Sequence, residues 1–362
     1  MKRKPTISIL SITFFLAITA TTSTLFGRTD SLFNYRLYGQ PGIQQDSLLS
    51  LFKGTRGNTY GEINGMAIMV NGKLIGESYY GLYSSETPFP INSVTKSIIS
   101  LACGVCVEQG RIKTTDLISK YLPEYDSIFA ANPLKAKIRI SDLLNQTTGL
   151  SWDEWFPNYT YSYNSLNRLK NTKSDWAKLA LEQPMATAPG VRFNYNSASL
   201  ELLKKIMEHV TKTPIDSFIY KNLFDTIGIK ANSWAKYPIN GTPSWGGMTM
   251  KVKDIAKLGQ AILNSETGKS KILPKSWIDH IYTPKVNAGN EVFYSYLFWH
   301  KEIAGRQVIF AAGLGDQFLY IVPSLNLVFA IASSNYYTTF PIPGPELILQ
   351  RIIQTIEQNP SN

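Results

Sequence analysis

Ser93 and Lys96 stand three residues apart in the stretch Ser93-Val94-Thr95-Lys96. On a helix that spacing puts a hydroxyl and an amine on one face. A serine hydroxyl is a poor nucleophile at neutral pH, so attack on a carbonyl needs a base within hydrogen-bonding reach and donors for the oxyanion that develops. Lysine serves as that base only when its pKa falls from about 10.4, through burial or a neighbouring positive dipole such as a helix N-terminus. The same four residues also read as a helix N-cap serine followed by a solvated lysine, an arrangement with no chemistry in it. Their surroundings must decide between the two.

The helix that would carry Ser93 is marked by Val94, Ile98, Leu101 and Val105 at helical spacing, with Gly110 as its stop. Upstream, Met66 to Val70 and Leu74 to Tyr80 flank Asn71-Gly72, a strong type I′ hairpin signal. Asp142 to Asn145, Leu200 to Val210 and Asp254 to Leu263 read as helices, so the middle of the chain is mostly helix and loop. Strand character returns at Val292 to Trp299, Gln307 to Ala312, Leu319 to Val322 and Leu327 to Ser333, and a helix over Glu346 to Glu357 closes the chain. Strands at both ends with helices between predict an α+β fold. Its antiparallel sheet comes from both chain ends, is flanked by helices, and has a helical lobe inserted in the middle.

The N-terminus places Lys2, Arg3 and Lys4 before an apolar, Ser/Thr-diluted run from Ile7 to about Ala20. That is the layout of an export signal, or of an uncleaved anchor if the run extends to Phe26. The expected organisation is a signal peptide or membrane anchor over 1–27, a spacer over 28–60 of mixed polar residues with Gly and Pro, and one folded domain over 61–358. The folded part is then expected outside the cytoplasm, with membrane contact confined to the N-terminus.

Composition excludes several other classes. Hydrophobic residues make up 44% and charged residues 17% of 362, a globular balance without a disordered tract. The net charge of +10 is scattered among acids and accompanies no nucleic-acid motif, so nucleic acid is not an expected partner. Cys103 and Cys106, three apart on the predicted helix, read as small buried residues. His209, His280 and His300 are isolated, so no metal site is expected.

The segment from Phe89 to Ser97 resembles the Ser-x-x-Lys nucleophile motif of the serine β-lactamase and penicillin-binding protein superfamily. The resemblance continues in that superfamily's order. Ile140 to Leu150 is similar to its I-x-x-L-L-x-H-T-S-G-L segment, and Pro189 to Ser197 to its P-G-x-x-F-x-Y-S-N segment. Trp245-Gly246-Gly247-Met248 followed by Asp254-Ile255-Ala256-Lys257 resembles its G-G loop and the helix opening after it. Ala311 to Gln317 falls where the family places its K/H-T-G strand.

What this implies is a β-lactamase-like fold and a serine hydrolase acting on an ester or amide through Ser93, Lys96 and Tyr195, with no metal or organic cofactor. Tyr195 would be the phenol that shares the proton with the lysine, although a packing tyrosine is its plain alternative. Gly313 and Leu314 would border the oxyanion, and Ser197, Trp152 and Asp316 would contact substrate. For Trp152 aromatic packing, and for Asp316 a surface turn, are the competing readings. Two departures place the chain nearest the esterase and 6-aminohexanoate-dimer hydrolase branch. Tyr195-Asn196-Ser197 has Ser where Asn is usual, and Ala311 and Ala312 stand where a cation would hold a substrate carboxylate. The rivals are a D-alanyl peptidase or β-lactamase, a catalytically silent binding or sensor protein of the same fold, and, on charge alone, a surface adhesion protein. The expected partner is a small ester, amide or peptide-like substrate, and the oligomeric state is left open.

Overall fold

A computed structural model describes residues 25–30, 33–40, 43–57, 59–156, 158–230, 233–268, 272–336 and 344–357. The strands are β1 Leu25–Asp30, β2 Phe33–Tyr38, β3 Ile63–Val70, β4 Lys73–Tyr80, β5 Pro88–Pro90 and β6 Thr249–Lys251. After the helical lobe come β7 Val286–Gly289, β8 Val292–Ser295, β9 Phe298–Ile303, β10 Arg306–Gly313, β11 Gln317–Val322 and β12 Leu327–Ser333. Ten of them form one antiparallel sheet in the order β1-β2-β4-β3-β12-β11-β10-β9-β8-β7, and β5 pairs with β6 separately. The two chain ends meet where β3 pairs with β12, as expected from strands placed first and last.

Alternation along the strands sends successive side chains to opposite layers. Met66, Ile68, Phe329 and Ile331 bury against helices Gln45–Gly54 and Gly344–Glu357 through Leu48, Phe52, Ile348 and Ile352. Ala67, Val328, Ala330 and Leu319 face the other way, onto helices Val94–Glu108 and Val252–Glu266 and the helical lobe. Gly259 permits the close approach there, since a Cβ on it would come within 2.6 Å of Val328.

The Asn71-Gly72 turn forms as predicted, with both residues at positive φ. Two expectations are corrected. The stretch read as a spacer contains β2, which pairs with β4, and helix Gln45–Gly54. Its mixed composition conceals Phe33 and Leu37 on one strand face and Leu48, Leu51 and Phe52 on one helix face, all buried. The folded unit therefore begins before residue 61. The run predicted as one strand from Val292 to Trp299 is a hairpin, because Tyr296 and Leu297 adopt φ of 50° and 64° and turn the chain between β8 and β9. The export or anchor reading rests on residues 1–24, which lie outside the described residues. No helix among the described residues is long and apolar enough to cross a membrane.

Candidate active site

Ser93 occupies the N-cap position of helix Val94–Glu108, yet its hydroxyl makes no capping bond. It lies instead 2.8 Å from Lys96 Nζ, whose other hydrogen-bond partner is the Trp245 carbonyl at 3.0 Å. The solvated-lysine reading fails here, because Lys96 is 1% exposed. Burial lowers its pKa to about 8, against the opposing pull of Glu154, with Lys170 adding to the depression. Burial is thus the principal cause.

Tyr195 reaches the same point from the loop before helix Ser199–Thr211. The Lys96 Nζ stands 4.9 Å from the centre of its ring. Burial raises the phenol pKa above the ordinary tyrosine value and Glu154 raises it further, while the neighbouring Ser93 hydroxyl acts in the opposite direction. The amine is therefore pushed towards its neutral form and the phenol is kept protonated. Segments from distant parts of the chain hold this loop. Asn194 N–H donates to the Gln146 carbonyl at 2.8 Å, Gly190 N–H to the Thr147 carbonyl at 2.8 Å, and Asn196 N–H to the Gln146 side chain.

The end of β10 forms the facing wall. Its pairing with β9 stops at Phe310, while its pairing with β11 continues to Gly313, so Ala311 to Gly313 present an open edge beside Ser93. A Cβ on Gly313 would lie 2.4 Å from the Ile91 carbonyl and 3.2 Å from the Ser93 nitrogen. Only glycine allows that approach. The Asn92 side chain donates to the Leu314 carbonyl at 2.7 Å and so ties the strand end to the serine turn. Among the described residues neither the Ser93 nor the Leu314 N–H is bound to a backbone carbonyl, which leaves two donors for an oxyanion. A cleft of about 350 Å³ opens over these groups, walled by Trp155, Tyr237, Trp245 and Trp299.

The Beta-lactamase family model matches residues 57–350. The chain belongs to the Beta-lactamase family.

Among curated proteins it is similar to one from Salmonella agona (strain SL483) provisionally named D-alanyl-D-alanine carboxypeptidase. They are 26% identical over 152 residues, which is 41% of this chain and 34% of the relative. The chain thus spans about a third of the length of the curated relatives it matches. Among solved structures it is similar to a protein from Bacillus anthracis provisionally named 6-aminohexanoate-dimer hydrolase. Here the TM-score is 0.70 at 19% identity, covering 83% of this chain and 81% of the other. It is also similar to EstCE1, described as a hydrolase with promiscuous acyltransferase activity, with a TM-score of 0.69 at 17% identity, covering 85% and 98%. At these identities the structural likenesses show the fold.

Within this family fold, Ser93, Lys96, Tyr195, Gly313 and Leu314 come together, and three other expected contacts do not. Ser197 is fully buried, and its N–H and hydroxyl both donate to Glu154, at 2.9 and 2.8 Å. The Trp152 indole also donates to Glu154, at 2.6 Å. Asp316 accepts from the Asn335 side chain at 2.9 Å and is not among the residues that line the cleft. All three hold loops in place. Trp155, rather than Trp152, enters the cleft and packs on Tyr195 with ring centres 5.1 Å apart.

Glu154 and Lys170 are site residues that motif and spacing do not single out. In the sequence Glu154 is one member of an aromatic loop, yet its buried carboxylate also accepts from Tyr159 and raises the pKa of Lys96. Its position between two tryptophans was the available signal. Lys170 carried none, being one lysine on a short polar helix.

Proposed function

We propose that this protein is an exported serine hydrolase that cleaves an ester or amide through an acyl-enzyme. The observation that carries the proposal is the Lys96 amine, buried, held at 2.8 Å from Ser93 Oγ and, among the described residues, bonded otherwise only to a carbonyl. With its pKa at about 8, a substantial fraction is neutral near physiological pH, and its lone pair can accept the Ser93 proton. Ser93 Oγ then adds to the carbonyl carbon, and the oxyanion is met by the Ser93 and Leu314 N–H groups. Tyr195, kept protonated, donates to the leaving oxygen or nitrogen as its bond to the acyl carbon breaks, and recovers a proton from Lys96. Water, activated by the same bases, releases the acid. These groups need no cofactor for the sequence of steps.

The direct test exposes the protein to a fluorophosphonate and weighs it intact. A single adduct on Ser93 is expected, and a folded protein without one removes the proposal. For a neutral ester, kcat/KM should climb about tenfold per pH unit on the acid side and level off above about pH 8 as Lys96 loses its proton. A profile flat from pH 6 to 9, or one falling across that range, contradicts the base assignment.

Tyr195→Phe separates the roles further. It should slow hydrolysis of alkyl esters, whose alkoxide must be protonated to leave, by roughly 10²-fold or more. It should slow 4-nitrophenyl esters much less, since nitrophenolate leaves unprotonated. Equal losses on both would make Tyr195 a packing residue.

A further inference from the structure

We propose that Lys170 is a specificity-determining residue that binds a carboxylate on the substrate, which makes the preferred substrate an ester or amide carrying a negative charge a few bonds from the scissile carbonyl. The inference rests on the serine hydrolase reading and names the substrate class of that site.

Three observations converge on it. Among the described residues that line the cleft, Lys170 is the only charged one. The other walls are aromatic or neutral, so Lys170 is the charged side chain that an entering molecule touches, with Glu154 and Lys96 acting from outside the lining. Its ammonium group stands over the Trp245 ring, 5.2 Å from the centre, and has no ion-pair or hydrogen-bond partner among the described residues. Two other half-buried lysines are paired, Lys205 with Asp175 at 2.7 Å and Lys301 with Glu346 at 2.8 Å. A cation held in a low-dielectric cleft without an anion is a vacant counter-charge site, because burial costs it hydration that a carboxylate would replace. Burial also lowers the Lys170 pKa against the pull of Glu154, so a bound anion would favour the charged form.

Position gives the second half of the argument. Trp245 sits between the two lysines, its carbonyl on Lys96 and its ring under Lys170. The two lysines are near enough to act on each other electrostatically, so a small molecule bound to Lys170 is within the neighbourhood of Ser93, and the cleft it rests in has aromatic walls. Lys170 belongs to helix Ser165–Asn171 of the inserted lobe.

The test is a titration of the intrinsic tryptophan fluorescence of Ser93→Ala protein with phenylacetate and with its neutral isostere phenylacetamide, since Trp155, Trp245 and Trp299 line the site. Phenylacetate should bind about tenfold more tightly, the effect of one partly shielded charge-assisted hydrogen bond. Lys170→Met should erase the difference, and Lys170→Arg should keep most of it. Equal affinities in the Lys170-containing protein overturn the proposal, as does a ratio that survives in K170M. Should K170M not fold, Lys170→Gln, which keeps a polar chain without the charge, makes the same comparison. In the parent enzyme, 4-nitrophenyl hydrogen adipate should exceed its carboxamide counterpart in kcat/KM, or 3-carboxyphenyl acetate should exceed 3-carbamoylphenyl acetate. The first result places the anion on the acyl side and the second on the leaving-group side; the absence of both preferences overturns the assignment. Since the titration needs no turnover, its failure leaves the Ser93 mechanism standing. Absence of the fluorophosphonate adduct would sink that mechanism without changing the affinity ratio.

Discussion

Ser93→Ala is expected to lose roughly 10⁴-fold or more in kcat/KM on any ester the parent hydrolyses, since no other group near Lys96 can form the acyl bond. Its stability should change by no more than about 0.5 kcal/mol, below the roughly 1 kcal/mol typical for removal of a working N-cap serine. The reason is that the Ser93 hydroxyl makes no capping bond and points to Lys96. Rate and urea midpoint, measured on the same preparation, therefore separate the two meanings of a serine at a helix start. A variant that hydrolyses as fast as the parent, or one that loses a full cap's worth of stability, would make Ser93 structural.

Lys96→Met should have the second largest effect, and the signs of its two consequences are opposite. Activity should fall by roughly 10³-fold or more, because the hydroxyl loses its base. Stability at pH 7 should rise by about 1 to 3 kcal/mol. The lysine pKa falls from 10.5 to about 8 on folding, and a tenfold change in proton affinity corresponds to about 1.36 kcal/mol. An unfolded chain binds more protons than the folded one between these two values, so the penalty is fully present below about pH 8 and fades as pH rises towards 10.5. Part of the gain is offset by the Trp245 carbonyl, which loses its donor. Urea unfolding of parent and variant at pH 7 and pH 10 checks both points, and the gap should narrow at the higher pH. A destabilised variant, or a gap unchanged with pH, would show that Lys96 is carried charged and solvated. The buried amine is thus a place where stability is given up for reactivity.

Much of this site is legible because short segments carry it. Asn71-Gly72 dictates its turn through backbone sterics, and Ser93 with Lys96 share a helix face by spacing alone. The segment around Tyr195 is also recognisable, though what holds it is not local: its amides bond to Gln146 and Thr147, some 45 residues earlier. Tyr296-Leu297 shows the opposite case. Two non-glycine residues at positive φ contradict local preference. The turn is held by the Ser97 hydroxyl on the Leu297 carbonyl at 2.6 Å and by the Leu297 N–H on the Leu144 carbonyl at 2.9 Å. No window of sequence around residue 296 contains those partners. The same holds for β2, whose alternation is too short to stand out until β4 pairs with it.

By itself, then, the sequence determined the fold class, the order of its elements, and the residue types able to make and receive a proton at Ser93. It did so because helix period, turn chemistry and motif spacing are properties of neighbours along the chain. Only the tertiary structure decided which of those groups meet and in what state. Burial lowers the Lys96 pKa and raises that of Tyr195, Glu154 accepts the hydrogen bonds of Ser197 and Trp152, and Lys170 stands in the cleft unpaired among the described residues. Desolvation and Coulomb energies depend on what surrounds a group in space, and those surroundings come from segments far apart in the chain.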